Sequence, residues 1–116
     1  TYSPLDGGLL AGILKKSQKG GRREKPSLPI RDDKFYSRIE AYEAFCGQAD
    51  LNPADVALAW VLHNPAVTAP IVGPRTLEHL KGSMNALNLT LTPEMLAELD
   101  RIFPGPGGEA PEAYAW

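Results

Sequence analysis

The sequence predicts an α/β fold in which parallel strands are covered by helices, and three observations predict it. Thr68-Ala-Pro-Ile-Val-Gly-Pro-Arg-Thr-Leu-Glu-His-Leu80 reads as a short buried strand, a tight turn and the start of a helix. Thr1 to Leu5 reads as a second strand end, interrupted by Pro4 and followed by Gly7 and Gly8. Helical periodicity returns between the two, so the order is strand, long loop, two helices, strand, two helices and a tail. Strands alternating with helices imply a parallel sheet. Two parallel strands alone would leave both sheet edges open, so the pattern predicts part of a larger α/β assembly.

The first strand ends at Gly7-Gly8, adjacent glycines whose backbone can turn sharply or approach a bound group closely. On the residues alone two readings stand: a plain turn, or amide N–H groups offered to a phosphate. The spacing is neither the dinucleotide G-x-G-x-x-G nor a Walker loop. Residues 15–33 form a long connection broken by Gly20, Gly21, Pro26 and Pro29. Such a loop reads as a solvated connection, or as a lid if an anionic ligand lies beneath it.

From Asp33 the pattern is helical. Phe35, Ile39, Tyr42 and Phe45 share a face, Cys46 lies beside them as a small buried hydrophobe, and Gly47 marks the end. Asn52-Pro53 is an N-cap followed by proline at the first helical position. The helix it opens, Ala54 to His63, is apolar nearly all round and must be buried on more than one side. His63 at its C-terminal end suits the helix dipole, and Asn64-Pro65 stops the helix.

In the second strand unit Ile71 and Val72 are the strand, and Gly73 and Pro74 break it. Thr76 is the N-cap of a helix on which Leu77, Leu80, Met84 and Leu87 recur. Arg75 stands at that helix entrance, where unpaired N–H groups and a partial positive charge favour an anion, phosphate above all. A capped turn carrying a solvated arginine is the other reading. Thr92-Pro93-Glu94 opens the last helix, with Leu96, Leu99 and Ile102 or Phe103 as its stripe. Pro104-Gly-Pro-Gly-Gly108 ends it. The tail over 104–116 closes on Tyr114 and Trp116, and two readings stand: a loose terminus, or aromatics docked on a surface or pocket.

Composition narrows the classes. The chain has 116 residues, 43% of them hydrophobic, which suits one small globular domain. A net charge of −2 gives no global attraction to nucleic acid or to an acidic membrane surface. That balance hides a split. Lys15 to Lys25 holds six basic residues against one Glu, whereas Glu94 to Trp116 holds five acids against one Arg. The single cysteine, Cys46, allows no internal disulfide and fits a reducing, cytoplasmic compartment. No apolar run reaches membrane-spanning length and no signal segment opens the chain, so Asn88-Leu-Thr90 is discounted as a glycosylation acceptor. Two histidines and one cysteine lack metal-ligand spacing. Opening at Thr1, without methionine and inside a structural element, is how a fragment or processed chain would look.

Tyr2-Ser-Pro-Leu-Asp-Gly-Gly-Leu-Leu-Ala-Gly12, Ala57-Leu-Ala-Trp-Val-Leu62 and Pro70-Ile-Val-Gly-Pro-Arg-Thr-Leu-Glu-His-Leu80 together resemble the C-terminal part of an aldo-keto reductase. The likeness covers essentially the whole chain, in the family's order. It implies a (β/α)8 barrel that reduces aldehydes and ketones with NADPH, Thr1 to Leu5 belonging to the seventh strand and Thr68 to Val72 to the eighth. Barrels of this type often hold phosphate at the loops after those two strands, beside a helix N-terminus. The anion site read from the residues and the family's cofactor site therefore coincide.

By this resemblance Tyr2 would stack on the nicotinamide, and Ser3, Pro4, Leu5, Asp6 and Gly8 would follow the pyrophosphate, largely through backbone N–H groups. Gly73 and Arg75 would meet the adenosine phosphate that distinguishes NADPH from NADH. His79 stands where relatives often carry Gln and could reach the adenine or its ribose phosphate. Ser83 stands where many have Asn, Gly82 where they have an acid, and Ile13-Leu14 where they have a basic-aromatic pair. No catalytic residue is expected in this chain. The family's acid is a tyrosine supported by lysine, aspartate and usually histidine, all from earlier strands, and no matching motif occurs here. The expected partners are thus a small carbonyl substrate and the N-terminal remainder of the barrel, on the same or a separate chain. Two rivals remain. One is a non-catalytic regulatory subunit that keeps the cofactor cleft. The other is a helix-turn-helix DNA module over Asn52 to Leu87, which the strand at Thr68 and the lack of a basic helix oppose.

Overall fold

In a computed structural model of the chain, residues 1–14 and 32–105 are described. The loop expected over 15–33 and the tail over 104–116, with Tyr114 and Trp116, lie outside them apart from their inner ends. The described chain forms helices α1 (Asp33–Gln48), α2 (Pro53–His63), α3 (Leu77–Asn85) and α4 (Pro93–Ile102). Short 3-10 turns occupy Asp6–Gly8 and Ala86–Asn88.

Each helix begins where a side-chain oxygen answers an otherwise orphaned backbone donor. Asp32 accepts from the Phe35 N–H at 2.8 Å and Asn52 from Ala54 at 2.9 Å. Thr76 accepts from His79 at 3.1 Å and Thr92 from Met95 at 3.3 Å. Pro53 and Pro93 sit in first turns, where a missing N–H leaves no bond unmade. Three of the four caps were expected; Asp32 was not singled out beside its equally polar neighbour Asp33.

Tyr42 and Cys46 of α1 pack with Val56, Ala57, Leu58 and Ala59 of α2, with Ala86 and Leu91, and with Leu99 and Ile102 of α4. Four consecutive buried residues on α2 mean that it is enclosed on more than one side, as its all-apolar pattern required. Cys46 is fully buried in the core and is in no disulfide. No helix among the described residues is long and apolar enough to cross a membrane.

The expected strands are present only as a single point of pairing. Thr1 to Leu5 and Thr68 to Val72 do not form strands; among the described residues they meet at one isolated parallel bridge, Tyr2 to Ile71. The Ile71 N–H donates to the Thr1 carbonyl at 2.7 Å, and the Thr1 ammonium donates to the Ala69 carbonyl at 3.0 Å. The ladder goes no further because Ser3 turns to φ 53°, out of extended geometry, and Pro4 and Pro70 have no N–H to give. The two segments are neighbours and parallel, but short.

The apolar row of α3 is also placed differently from those of its neighbours. Leu77, Leu80 and Met84, with Leu87 just beyond the helix, are exposed, and so is Ile71 at 68%. These side chains face away from the core described above.

Candidate functional site

The site is built outward from the bridge. Beyond Tyr2, the chain enters a turn closed by the Asp6 N–H to the Ser3 carbonyl and the Gly8 N–H to the Leu5 carbonyl, both at 2.9 Å. Leu10 returns a third bond to the Leu5 carbonyl at 3.2 Å. Ser3 and Asp6 have φ of 53° and 45°, left-handed values that cost a non-glycine residue about 1 kcal/mol or more each. Gly7 and Gly8 continue at 64° and 97°, where glycine is at no disadvantage. A Cβ on either would meet nothing within 4 Å, so the space over the turn is open.

Left-handed and right-handed residues in succession make a concave backbone of the kind that accepts anions. The Asp6 and Gly8 amides, however, are already engaged inside the turn. Those two residues therefore help to set its shape.

The other wall leaves the same bridge in the same direction. Gly73, Arg75 and the first turn of α3 are exposed, and Thr76 caps that helix. The Arg75 guanidinium makes no hydrogen bond or ion pair with the described residues, so its donors are available. His79 is exposed one turn along. Ser83, one turn further, donates its hydroxyl to the His79 carbonyl at 2.9 Å and is half-buried. Its hydroxyl serves its own helix. Tyr2 is 76% exposed, so its ring is presented rather than packed away.

Two groups that matter were not singled out from the sequence. Asp32 is the cap already described. Glu43 is buried at 4% and accepts the Leu14 N–H at 2.9 Å. Its signal was a carboxylate at i+4 from Ile39, beside Tyr42, on an apolar face.

At one parallel bridge, then, a glycine turn leaves one arm and an arginine-led capped helix leaves the other. The chain belongs to the aldo/keto reductase family, whose model matches residues 1–103. Membership implies a (β/α)8 barrel for the whole. The chain is 49% identical over 115 residues to the uncharacterized oxidoreductase YrpG of Bacillus subtilis (strain 168), across 99% of this chain and 35% of that protein. It is 33% identical over 98 residues to an aryl-alcohol dehydrogenase of Pestalotiopsis microspora, across 82% of this chain and 25% of that one. It is 30% identical over 97 residues to norsolorinic acid reductase A of Aspergillus parasiticus, across 84% and 25% respectively. The chain thus spans 25–35% of the length of these curated relatives.

Proposed function

We propose that this chain is the C-terminal portion of an NADP-dependent reductase of aldehydes or ketones, and that it supplies the pyrophosphate and adenosine-phosphate side of the cofactor cleft. The parallel bridge between Tyr2 and Ile71 carries this reading, because it launches the Ser3–Gly8 turn and the Gly73–Arg75 turn side by side. The open turn and the uncommitted guanidinium fit a dinucleotide: a concave backbone for one anionic group and a fork of donors for another.

On this reading the exposed Tyr2 ring would stack on the nicotinamide. Ser3, Pro4, Leu5, Asp6 and Gly8 shape the wall along the pyrophosphate. Gly73 and Arg75, with the Thr76-capped start of α3, hold the adenosine phosphate, and His79 reaches the adenine side. Ser83 supports His79 through the helix backbone. A nicotinamide held there would supply the hydride equivalent for carbonyl reduction. Proton delivery falls to a tyrosine on an earlier strand of the barrel.

The exposed Ile71, Leu77, Leu80, Met84 and Leu87 support packing against the remainder of the barrel, on the same or a separate chain. The aryl-alcohol dehydrogenase among the relatives supports a carbonyl–alcohol couple. In the complete enzyme, Arg75→Ala should raise the NADPH Kd about tenfold or more, the loss of a charge-assisted pair, and leave NADH within about twofold. Equal losses for both cofactors would remove Arg75 from the phosphate site.

A further inference from the structure

We propose that Glu43 is a positioning residue for the Ser3–Gly8 turn, its buried carboxylate on α1 tying the chain beyond that turn at Leu14. The inference rests on the reading of the turn as one wall of the cofactor cleft.

Glu43 sits with Ile39, Tyr42 and Cys46, all buried residues of α1. A carboxylate is a poor choice for such a place unless it answers a donor that an apolar side chain would leave stranded. It does: Oε1 accepts the Leu14 N–H at 2.9 Å, across 29 residues of sequence. Between the Tyr2 bridge and this tie the chain is seated at further points. Leu9 is 2% exposed, and a Cβ at Gly12, where φ is 78°, would lie 3.5 Å from Pro53 Cγ. Pro4 and Leu10 line an apolar cavity with Tyr42, Val56, Trp60 and Phe103.

Left-handed Ser3 and Asp6 persist only if the surrounding structure holds the chain there. The bridge holds one end; on the other side the seats at Leu9, Leu10 and Gly12 are backed by the tie from Glu43 to Leu14. Weakening the Leu14 tie would loosen the support behind the turn, and the pyrophosphate wall would be less well preformed. Glu43 would thus act on cofactor affinity without touching the cofactor.

The test uses the complete reductase, with NADPH Kd read by quenching of protein fluorescence, kcat under saturating cofactor, and Tm. Glu43→Ala should raise the NADPH Kd about five- to twentyfold with kcat within about twofold. Glu43→Gln keeps an oxygen acceptor and should restore the Kd to within about threefold of wild type. A purely structural role would lower Tm in Glu43→Ala while the folded protein bound NADPH as wild type does, and that overturns the proposal. So does Glu43→Gln binding as poorly as Glu43→Ala. Should Glu43→Ala fail to fold, Glu43→Asp withdraws the oxygen by one methylene and the same Kd decides. A wild type that binds no NADPH overturns the cofactor reading and this inference together.

Discussion

The Tyr42 hydroxyl donates to the carbonyl of Pro53, the first residue of α2, and so joins the middle of α1 to the start of the next helix. Burial, with Cys46 as the second influence, pushes the Tyr42 phenol far above its ordinary range, so it stays a protonated donor. Tyr42→Phe should therefore cost about 1 kcal/mol in denaturant unfolding at neutral pH. The sign at alkaline pH follows from the same shift. The unfolded phenol loses its proton near pH 10 while the folded one keeps it, so stability falls as pH rises beyond that point. Tyr42→Phe should flatten that alkaline decline; an unchanged slope would assign it to other groups.

Asp55 lies in the first turn of α2, where the helix dipole favours an acid. Its carboxyl is nevertheless raised above the usual range, because partial burial outweighs the hydrogen bond from the Asn85 amide at 3.5 Å. A raised acid binds its proton more tightly folded than unfolded, so ionisation at neutral pH costs stability. Asp55→Asn should raise Tm at pH 7 slightly, by about 1–2 °C after solvent screening. The gain should vanish below the ordinary aspartate range, where Asp55 is neutral in both states.

Gly12 is buried at φ 78° beside Pro53. An added methyl would find ordinary contact at 3.5 Å, so the penalty is in the backbone rather than in a clash. Gly12→Ala should destabilise by about 1–2 kcal/mol, with unfolding in denaturant as the measurement.

Thr76 caps α3 one residue after Arg75. In the complete enzyme, Thr76→Ala removes a cap worth about 1 kcal/mol and loosens the helix entrance for any dinucleotide. NADPH and NADH should weaken alike, by about fivefold at most, in contrast to the selective loss expected of Arg75→Ala. Isothermal titration with both cofactors separates the two cases.

The helices were legible because their signals are local. Asn52-Pro53, Thr76 and Thr92-Pro93 each announce a start within three residues, and the unbroken apolar run of α2 announces its burial. Strand length was not legible. Ile71 and Val72 favour extended pairing by shape, yet the ladder is halted by the left-handed Ser3, a conformation its residue type does not advertise. The two arms of the candidate site were visible as an arginine before a capped helix and a pair of glycines. What the string could not carry was which amides the turn consumes, or that Glu43 reaches Leu14 across 29 positions.

The outward row of α3 has a practical corollary for handling. A polypeptide of this sequence made alone would carry Leu77, Leu80, Met84 and Leu87 into water on one greasy flank. At the concentrations used for spectroscopy such a flank invites clumping and chaperone capture, and its loss of material would rise with protein concentration and with warming.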